Sequence, residues 1–129
     1  NTTFHLVSPP ELKLPSSVKT SIKERKLEYF QSTELQEVIS KVDVLYMTRI
    51  QKERFSDPID YEKVKNSYVL QNSMLDEAKP NLKIMHPLPR VNEITTDVDN
   101  NPKAYYFTQA LNGVYVRQAI LASILGVVD

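Results

Sequence analysis

Short apolar runs alternate along the chain with stretches of helical periodicity. The apolar runs predict β-strands at 4–7, 27–30, 42–47, 68–70 and 82–85. Between them, apolar residues recur at helical spacing in stretches that begin near Ser16, Thr33 and Ser73. Strands that alternate with helices and are apolar nearly throughout are typical of parallel sheets. The pattern therefore predicts an α/β fold, with a doubly wound parallel sheet flanked by helices on both faces.

Polar residues at the starts of these helical stretches predict where the helices begin. A first helix is expected to run from Ser16 to about Arg25. Thr33 and Gln36 have the spacing of a capping box, and Ser73 is followed by an acidic residue at the same spacing. Each of these sites predicts a helix N-terminus.

Two C-terminal helices are expected to close the domain. The pattern places them at about 102–110 and 113–125, with Gly126 as the residue that ends the second. A short helical turn is predicted at 60–66.

Length and composition exclude several classes of function. The 129 residues, of which 41% are hydrophobic and 25% charged, suit a single globular domain over 1–129. Sixteen basic residues balance sixteen acidic ones, which argues against nucleic acid or an anionic membrane as a partner. The chain has no cysteine and two separated histidines, so we predict no metal site. We also expect a cytoplasmic location, because no apolar run is long enough to span a bilayer.

The charged segment TRIQKERF, residues 48–55, directly follows the predicted strand 42–47. Ligands of open α/β sheets bind beyond the carboxyl ends of strands. In an extended loop Arg49 and Gln51 would point the same way and offer N–H donors to a carboxylate or phosphate. The alternative is a solvated loop with weak surface ion pairs, which is the usual role of such a run.

A second unusual segment, HPLPR at 86–90, follows the predicted strand 82–85. Its two prolines fix backbone torsions and lack N–H groups, which leaves the carbonyls of His86, Pro87 and Leu88 free to accept hydrogen bonds. Such acceptors suit an amine or amide ligand. The alternative is a tight turn in which His86 is a satisfied core histidine. Both segments leave the same predicted sheet edge, so they can face one ligand.

Four segments together carry a resemblance to a known family. LYMTRIQKERF, MHPLPRVNEI, DVD and YYFTQALNGVYVRQAIL resemble, in order and spacing, the C-terminal aspartate-binding domain of the aspartate carbamoyltransferase (aspartate transcarbamoylase) family. The resemblance extends from Phe4 to Gly126. It implies transfer of a carbamoyl group from carbamoyl phosphate to the amine of L-aspartate, giving N-carbamoyl-L-aspartate and phosphate in pyrimidine biosynthesis, without metal or organic cofactor.

The resemblance also implies roles for residues of the first loop. Arg49 and Gln51 match positions that hold the side-chain carboxylate of L-aspartate. Glu53 matches a residue that supports the arginine, and Arg54 matches one that pairs with the other domain when the site closes. No residue is implied as a general acid or base.

In the second loop, the resemblance assigns roles to the backbone. The backbone of Pro87, Leu88 and Pro89 matches the segment that binds carbamoyl phosphate and accepts hydrogen bonds from the carbamoyl nitrogen and the aspartate amine. The bond between Leu88 and Pro89 matches a cis peptide bond.

Relative to that family, we expect the chain to be incomplete at its N-terminus. The carbamoyl phosphate domain is absent from residues 1–129, so we predict that this chain alone is inactive. The full protein is expected to be a homotrimer, with regulatory chains or fusion to other pathway enzymes as open possibilities.

Two alternative functions remain at this stage. Ornithine carbamoyltransferases share the fold, but they have His-Cys-Leu-Pro where this chain has His-Pro-Leu-Pro, and Arg49 would repel a cationic substrate. The other alternative is a non-catalytic module of the same fold that binds acidic amino acids or serves as an assembly surface.

Overall fold

The computed structural model describes residues 2–127, apart from the side chain of Arg54. Within these residues four strands are present: β1 Thr3–Val7, β2 Glu28–Ser32, β3 Val44–Tyr46 and β4 Lys83–Met85. The α-helices are α1 Ser16–Glu24, α2 Gln36–Ile39, α3 Pro58–Val64 and α4 Tyr106–Ile124. Short 3₁₀ turns lie at Pro10–Leu12, Lys52–Arg54, Asn72–Leu75 and Thr96–Asn100.

The strands pair in parallel, as the alternation of strands and helices predicts. β1 pairs with β2, and β3 pairs with β4. Within the described residues these are two separate two-stranded sheets, and the predicted strand 68–70 contributes only a parallel bridge from Leu70 to Ile94. On β3, Leu45 is buried while Val44 and Tyr46 are 52% and 53% exposed, so the described part of the chain covers β3 mainly on one face.

The hydrophobic core lies around β3 and β4. It combines residues of these strands with residues of α2, of the 3₁₀ turns and of the first turn of α4. Its buried members are Leu35, Ile39, Leu45, Met47, Leu70, Leu75, Leu82, Ile84, Ile94, Val98 and Tyr106. The two loops of interest therefore start from the most firmly packed strands of the domain.

The C-terminal region is one helix instead of the predicted two. α4 runs through Gly113 without a break. A glycine costs only about 1 kcal/mol relative to alanine inside a helix, which is too little to end one that continues on both sides of it. The predicted end is confirmed: Gly126 has φ +66°, and its N–H donates to the Ser123 carbonyl at 3.1 Å.

The predicted capping box at Thr33 and Gln36 is wrong. α2 begins at Gln36 without a side-chain cap. Ser32 organises this turn instead, because its Oγ accepts from the Glu34 N–H at 3.1 Å and donates to Glu37 Oε2 at 2.6 Å.

The other helix predictions have mixed outcomes. The first helix is confirmed at Ser16–Glu24. Ser73 lies in a 3₁₀ turn and not at the start of an α-helix. The short turn expected at 60–66 is the helix α3, which Asp57 caps by accepting from the Ile59 N–H at 2.8 Å. None of the helices among residues 2–127 has the length and apolar character needed to cross a membrane.

Candidate functional site

β3 and β4 end at the same sheet edge. Tyr46 is in register with Met85, and the Met47 N–H donates to the Met85 carbonyl at 2.9 Å. Gln109 of α4 joins the two strand ends: its Oε1 accepts from the His86 N–H at 2.9 Å, and its Nε2 donates to the Tyr46 hydroxyl at 3.3 Å. The segments that follow the strands therefore leave the sheet side by side. Gln109 is not predicted from the sequence, since its partners lie far away in the chain.

Arg49, in the first of these loops, is half-buried and hydrogen-bonded to Glu53. Both terminal nitrogens of its guanidinium donate to the Glu53 carboxylate, with Nη1 at 3.1 Å from Oε2. The hydrogen bond and the charge of Glu53 raise the pKa of Arg49 above its ordinary value, and the charge of Glu93 adds to this effect. The chain thus holds the arginine in place, and its remaining N–H groups are the ones left to bind a ligand.

The other predicted residues of this loop lie close to Arg49 in the chain. Gln51 is half-buried and has an extended backbone directly before the 3₁₀ turn. The Arg54 side chain lies outside the described part of the structure. The loop rests on α3: Lys52 Nζ is 5.9 Å from the centroid of the Tyr61 ring, and the Phe55 ring meets Tyr61 edge-on at 5.7 Å.

In the second loop, the carbonyls of Pro87 and Leu88 have no hydrogen-bond partner within the described part of the chain. Pro87 and Pro89 are exposed, Leu88 is half-buried with φ +46°, and the Leu88–Pro89 bond is cis. Among the described residues, no hydrogen bond reaches the carbonyl oxygens of Pro87 and Leu88. These two oxygens are available to a ligand, as the prolines predict.

His86, at the start of this loop, is a satisfied buried histidine. Its Nδ1 accepts from the Leu88 N–H at 2.8 Å, and its Nε2 lies 2.6 Å from Glu93 Oε1. Glu93 Oε2 in turn accepts from the N–H groups of Val91 and Asn92, each at 3.1 Å. Burial, the largest influence, raises the pKa of Glu93, but hydrogen bonds from backbone N–H groups, including that of Val91, and the contact with His86 together lower it below its ordinary value. The sequence around Glu93 does not predict this role. Its only local signal is a charged residue directly before Ile94, which is buried.

Arg90 anchors the far end of the second loop. It pairs with Asp99 through both terminal nitrogens, with Nη2 at 2.6 Å from Oδ2, and it lies over the Tyr106 ring. The Tyr106 hydroxyl donates to Asp99 Oδ1 at 2.5 Å. Burial and the hydrogen bond to Asp99 raise the pKa of Tyr106 to about 12. The loop is thereby fixed to the start of α4.

A small cleft lies between the first loop and the turn at 91–93. Arg49, Tyr61, Lys65, Tyr68, Asn92 and Glu93 contribute to its lining. Gln51 and residues 87–89 do not. The structure therefore brings Arg49 to the same cleft as Glu93 and places the free carbonyls on a neighbouring part of the edge.

The chemistry of this edge suits a zwitterionic ligand with an additional carboxylate. Arginine N–H groups bind carboxylates, and free carbonyl oxygens accept from amines and amides. Within residues 2–127 no group of three or more His, Asp or Glu side chains is arranged to hold a metal ion.

Comparison with known proteins shows the family. Residues 1–124 match the family described as aspartate/ornithine carbamoyltransferase, Asp/Orn binding domain. The aspartate carbamoyltransferase catalytic subunit of Bacteroides thetaiotaomicron is 57% identical over 128 residues, which are 98% of this chain and 41% of that protein. The corresponding subunit of Azobacteroides pseudotrichonymphae is 58% identical over 127 residues, which are 98% of this chain and 42% of that protein.

Solved structures give the same result. The catalytic subunit of M. jannaschii aspartate transcarbamoylase has a TM-score of 0.86 and 44% identity, covering 96% of this chain and 41% of that one. Aspartate transcarbamoylase from Trypanosoma cruzi, solved with carbamoyl phosphate and aspartate, has a TM-score of 0.82 and 34% identity. The match covers 92% of this chain and 40% of that one. The chain thus spans about two fifths of the length of the curated relatives it matches. It belongs to the aspartate/ornithine carbamoyltransferase family and corresponds to the Asp/Orn binding domain.

Proposed function

We propose that a full-length protein containing this chain transfers the carbamoyl group of carbamoyl phosphate to the amine of L-aspartate. The observation that carries this proposal is the pairing of a held arginine, Arg49, with the free carbonyls of Pro87 and Leu88 at one sheet edge. The names of the most similar relatives and structures support the same substrates.

In this proposal the first loop binds aspartate. Arg49 and Gln51 hold its side-chain carboxylate, and Glu53 orients the guanidinium through the hydrogen bonds described above. Arg54 pairs with an acidic group of the other domain when the site closes. An arginine suits this task because its planar fork binds a carboxylate with defined geometry.

The second loop binds the reacting groups. The backbone of Pro87, Leu88 and Pro89 holds carbamoyl phosphate, and the free carbonyls of Pro87 and Leu88 accept from the carbamoyl nitrogen and the aspartate amine. The lone pair of the deprotonated amine then attacks the carbamoyl carbon, a C–N bond forms, and the C–O bond to phosphate breaks. The electron pair of that bond leaves with phosphate, and the proton that the nitrogen loses passes to the departing phosphate. The described residues contribute by positioning, since they hold both reactants at the correct distance.

The phosphate leaving group needs several cations and oriented N–H groups, which we assign to the carbamoyl phosphate domain of the full-length protein. We further propose that the full-length protein is a cytoplasmic homotrimer, as implied by the resemblance to the family. Regulatory chains or fused enzymes are compatible with this proposal.

Arg49 favours aspartate over ornithine as the acceptor. The family includes proteins that act on aspartate and proteins that act on ornithine. The cationic side chain of ornithine would meet the guanidinium of Arg49, and like charges repel at such a distance.

The test is a transfer assay on the full-length protein. Carbamoyl phosphate is supplied with L-aspartate or with L-ornithine, and both products are quantified. We expect N-carbamoyl-L-aspartate and no citrulline. Citrulline formation would overturn the substrate assignment. Calorimetric binding of aspartate without any transfer would instead identify a non-catalytic acidic amino-acid-binding module.

A further inference from the structure

A buried pair, His86 and Glu93, lies beneath the second loop and has no part in the binding roles assigned above. His86 is 1% exposed and Glu93 5% exposed. Both ring nitrogens of His86 have partners: Leu88 N–H on one side and the Glu93 carboxylate on the other. Such a pair can be simply structural, or it can control the geometry of the loop above it.

The partners determine the tautomer of His86. The Leu88 N–H is a donor, so Nδ1 must accept and carries no proton. The ring proton is therefore on Nε2, where it is donated to Glu93 Oε1. Glu93 is itself held by the N–H groups of Val91 and Asn92. The result is a neutral imidazole in one fixed tautomer.

The hydrogen bond to Leu88 also sets the direction of a carbonyl. The peptide unit between Pro87 and Leu88 is trans and planar, so its C=O and N–H point in opposite directions. Since the N–H points inward to buried His86, the Pro87 carbonyl points outward. The same hydrogen bond supports Leu88 at φ +46°, a left-handed conformation that leucine rarely adopts.

We propose that His86 is a positioning residue: its Nδ1 holds the Leu88 N–H inward and so aims the Pro87 carbonyl at the carbamoyl nitrogen, with Glu93 fixing the required tautomer. This rests on the proposed function, in which the Pro87 carbonyl accepts from that nitrogen. His86 touches no substrate and acts only through the backbone.

Two substitutions separate the two hydrogen bonds of His86. His86→Asn places an amide oxygen near the position of Nδ1, so it keeps an acceptor for Leu88 and loses the donor to Glu93. His86→Gln places an amide N–H near the position of Nε2, so it keeps the donor to Glu93 and loses the acceptor for Leu88. Each variant is the matched control of the other.

Both variants are made in the full-length protein and compared with wild type by steady-state kinetics and thermal unfolding. We expect His86→Gln to lose about 10-fold or more in kcat/KM for carbamoyl phosphate, because a buried N–H is left without a partner, and His86→Asn to stay within about 3-fold. The KM for aspartate at saturating carbamoyl phosphate should change less. Equal losses in both variants, or losses that follow only the melting temperature, would overturn the proposal.

A spectroscopic measurement on wild type covers the case in which His86→Gln does not fold. In ¹⁵N-histidine-labelled full-length protein, with the His86 signals assigned by their loss in His86→Asn, we expect an unprotonated Nδ1 and a protonated Nε2. The opposite tautomer, or an imidazolium, would overturn the proposal. A wild-type protein that shows the expected tautomer but transfers no carbamoyl group would refute the proposed function alone.

Discussion

Arg49 already faces a carboxylate of its own chain. Its two terminal nitrogens donate to Glu53, four residues later, so the arginine is held before any ligand arrives. The contact is local and spans the Lys52–Arg54 turn. A preorganised side chain loses less conformational entropy on binding than a free one, which favours the use of its remaining N–H groups for a substrate carboxylate.

Removal of the Arg49 side chain should affect aspartate selectively. In the full-length protein, we expect Arg49→Ala to lower kcat/KM for aspartate roughly 10- to 1000-fold, while carbamoyl phosphate binding stays nearly unchanged. Lys52→Ala is the matched control, because it removes a neighbouring cation whose Nζ lies over the Tyr61 ring. Steady-state kinetics of the two variants measure these effects. Normal aspartate kinetics in Arg49→Ala would contradict the assignment.

Asp99 should matter for stability. It holds Arg90 and Tyr106 together, and Asp99→Asn leaves the arginine without its charged partner. We expect the free energy of unfolding of the full-length protein to fall by roughly 1–3 kcal/mol, measured in urea. Asp76→Asn, at an exposed position, should cost much less.

The contribution of Asp99 to stability should depend on pH in a definite direction. The hydrogen bond from Arg90 lowers the pKa of Asp99 below its ordinary value of 3.8. A carboxyl group whose pKa is lower in the folded state stabilises the fold above its unfolded pKa, and this contribution is lost as the pH falls. The difference between wild type and Asp99→Asn should therefore be complete near neutral pH and should shrink below about pH 3.8. A difference that grows in acid would contradict this account.

The sequence locates the residues that we propose to face the ligand, but not the residues that hold them in place. Arg49 stands out as part of a charge run, and Pro87 as part of a rigid turn, because both signals are local. Glu93 and Asp99 hold residues seven and nine positions earlier in the chain, and Gln109 holds a backbone group 23 positions earlier. Such contacts arise only when the core brings separate segments together, so local patterns do not predict them.

At the scale of elements, the first loop holds Arg49 in place through Glu53, although few of its side chains are buried. Lys52, Glu53, Ser56 and Asp57 are exposed. The loop rests on α3 chiefly through Lys52 and Phe55 against Tyr61. Segments with few buried contacts open at low free-energy cost. The loop is therefore suited to order around a ligand.

Hydrogen exchange on the full-length protein tests this expectation. Amides from Arg49 to Tyr61 should exchange fast without ligand and should slow markedly when a bisubstrate analogue is bound. The Ile84 amide, in the core strand β4, serves as the internal control and should be slow in both states. Equal protection of the loop with and without the analogue would argue against ordering.

The element boundaries show where the local sequence pattern is sufficient to predict secondary structure. β3 and β4 are found because their apolar runs are bounded by polar loops. The run at 68–70 has the same character, yet only Leu70 pairs there. Gly113 suggests a helix break that the surrounding helix formers override. These errors occur where a weak local preference competes with the continuing helix or with tertiary packing.

At the scale of the whole molecule, the described residues 2–127 carry extensive exposed apolar surface. In α4, Ile120, Leu121 and Ile124 are 53%, 60% and 76% exposed. Large contiguous apolar surfaces favour association or aggregation. This adds to the expectation that the segment depends on the remainder of a full-length protein.

Expression of residues 1–129 alone gives a direct comparison with the full-length protein. We expect no carbamoyl transfer by the isolated segment and at most millimolar affinity for aspartate, because the proposed phosphate site lies in the other domain. The full-length protein under the same conditions is the control. Formation of N-carbamoyl-L-aspartate by the purified segment would show that this division of roles is wrong.

The two parallel strand pairs also have a consequence for the order of folding. Thr3 pairs with Glu28 across the α1 crossover, whereas Val44 pairs with Lys83 across a longer stretch of chain. Closing the shorter loop costs less entropy, but even a doubling of loop length costs only about 0.6 kcal/mol. The buried core includes Leu45 of β3 and Ile84 of β4, whereas none of its buried members lies on β1 or β2. We therefore expect β3 and β4 to associate first during refolding, so that pulse-labelled amides of residues 83–85 become protected before those of residues 28–32. The edge that carries the proposed site would then be among the first parts of the domain to form.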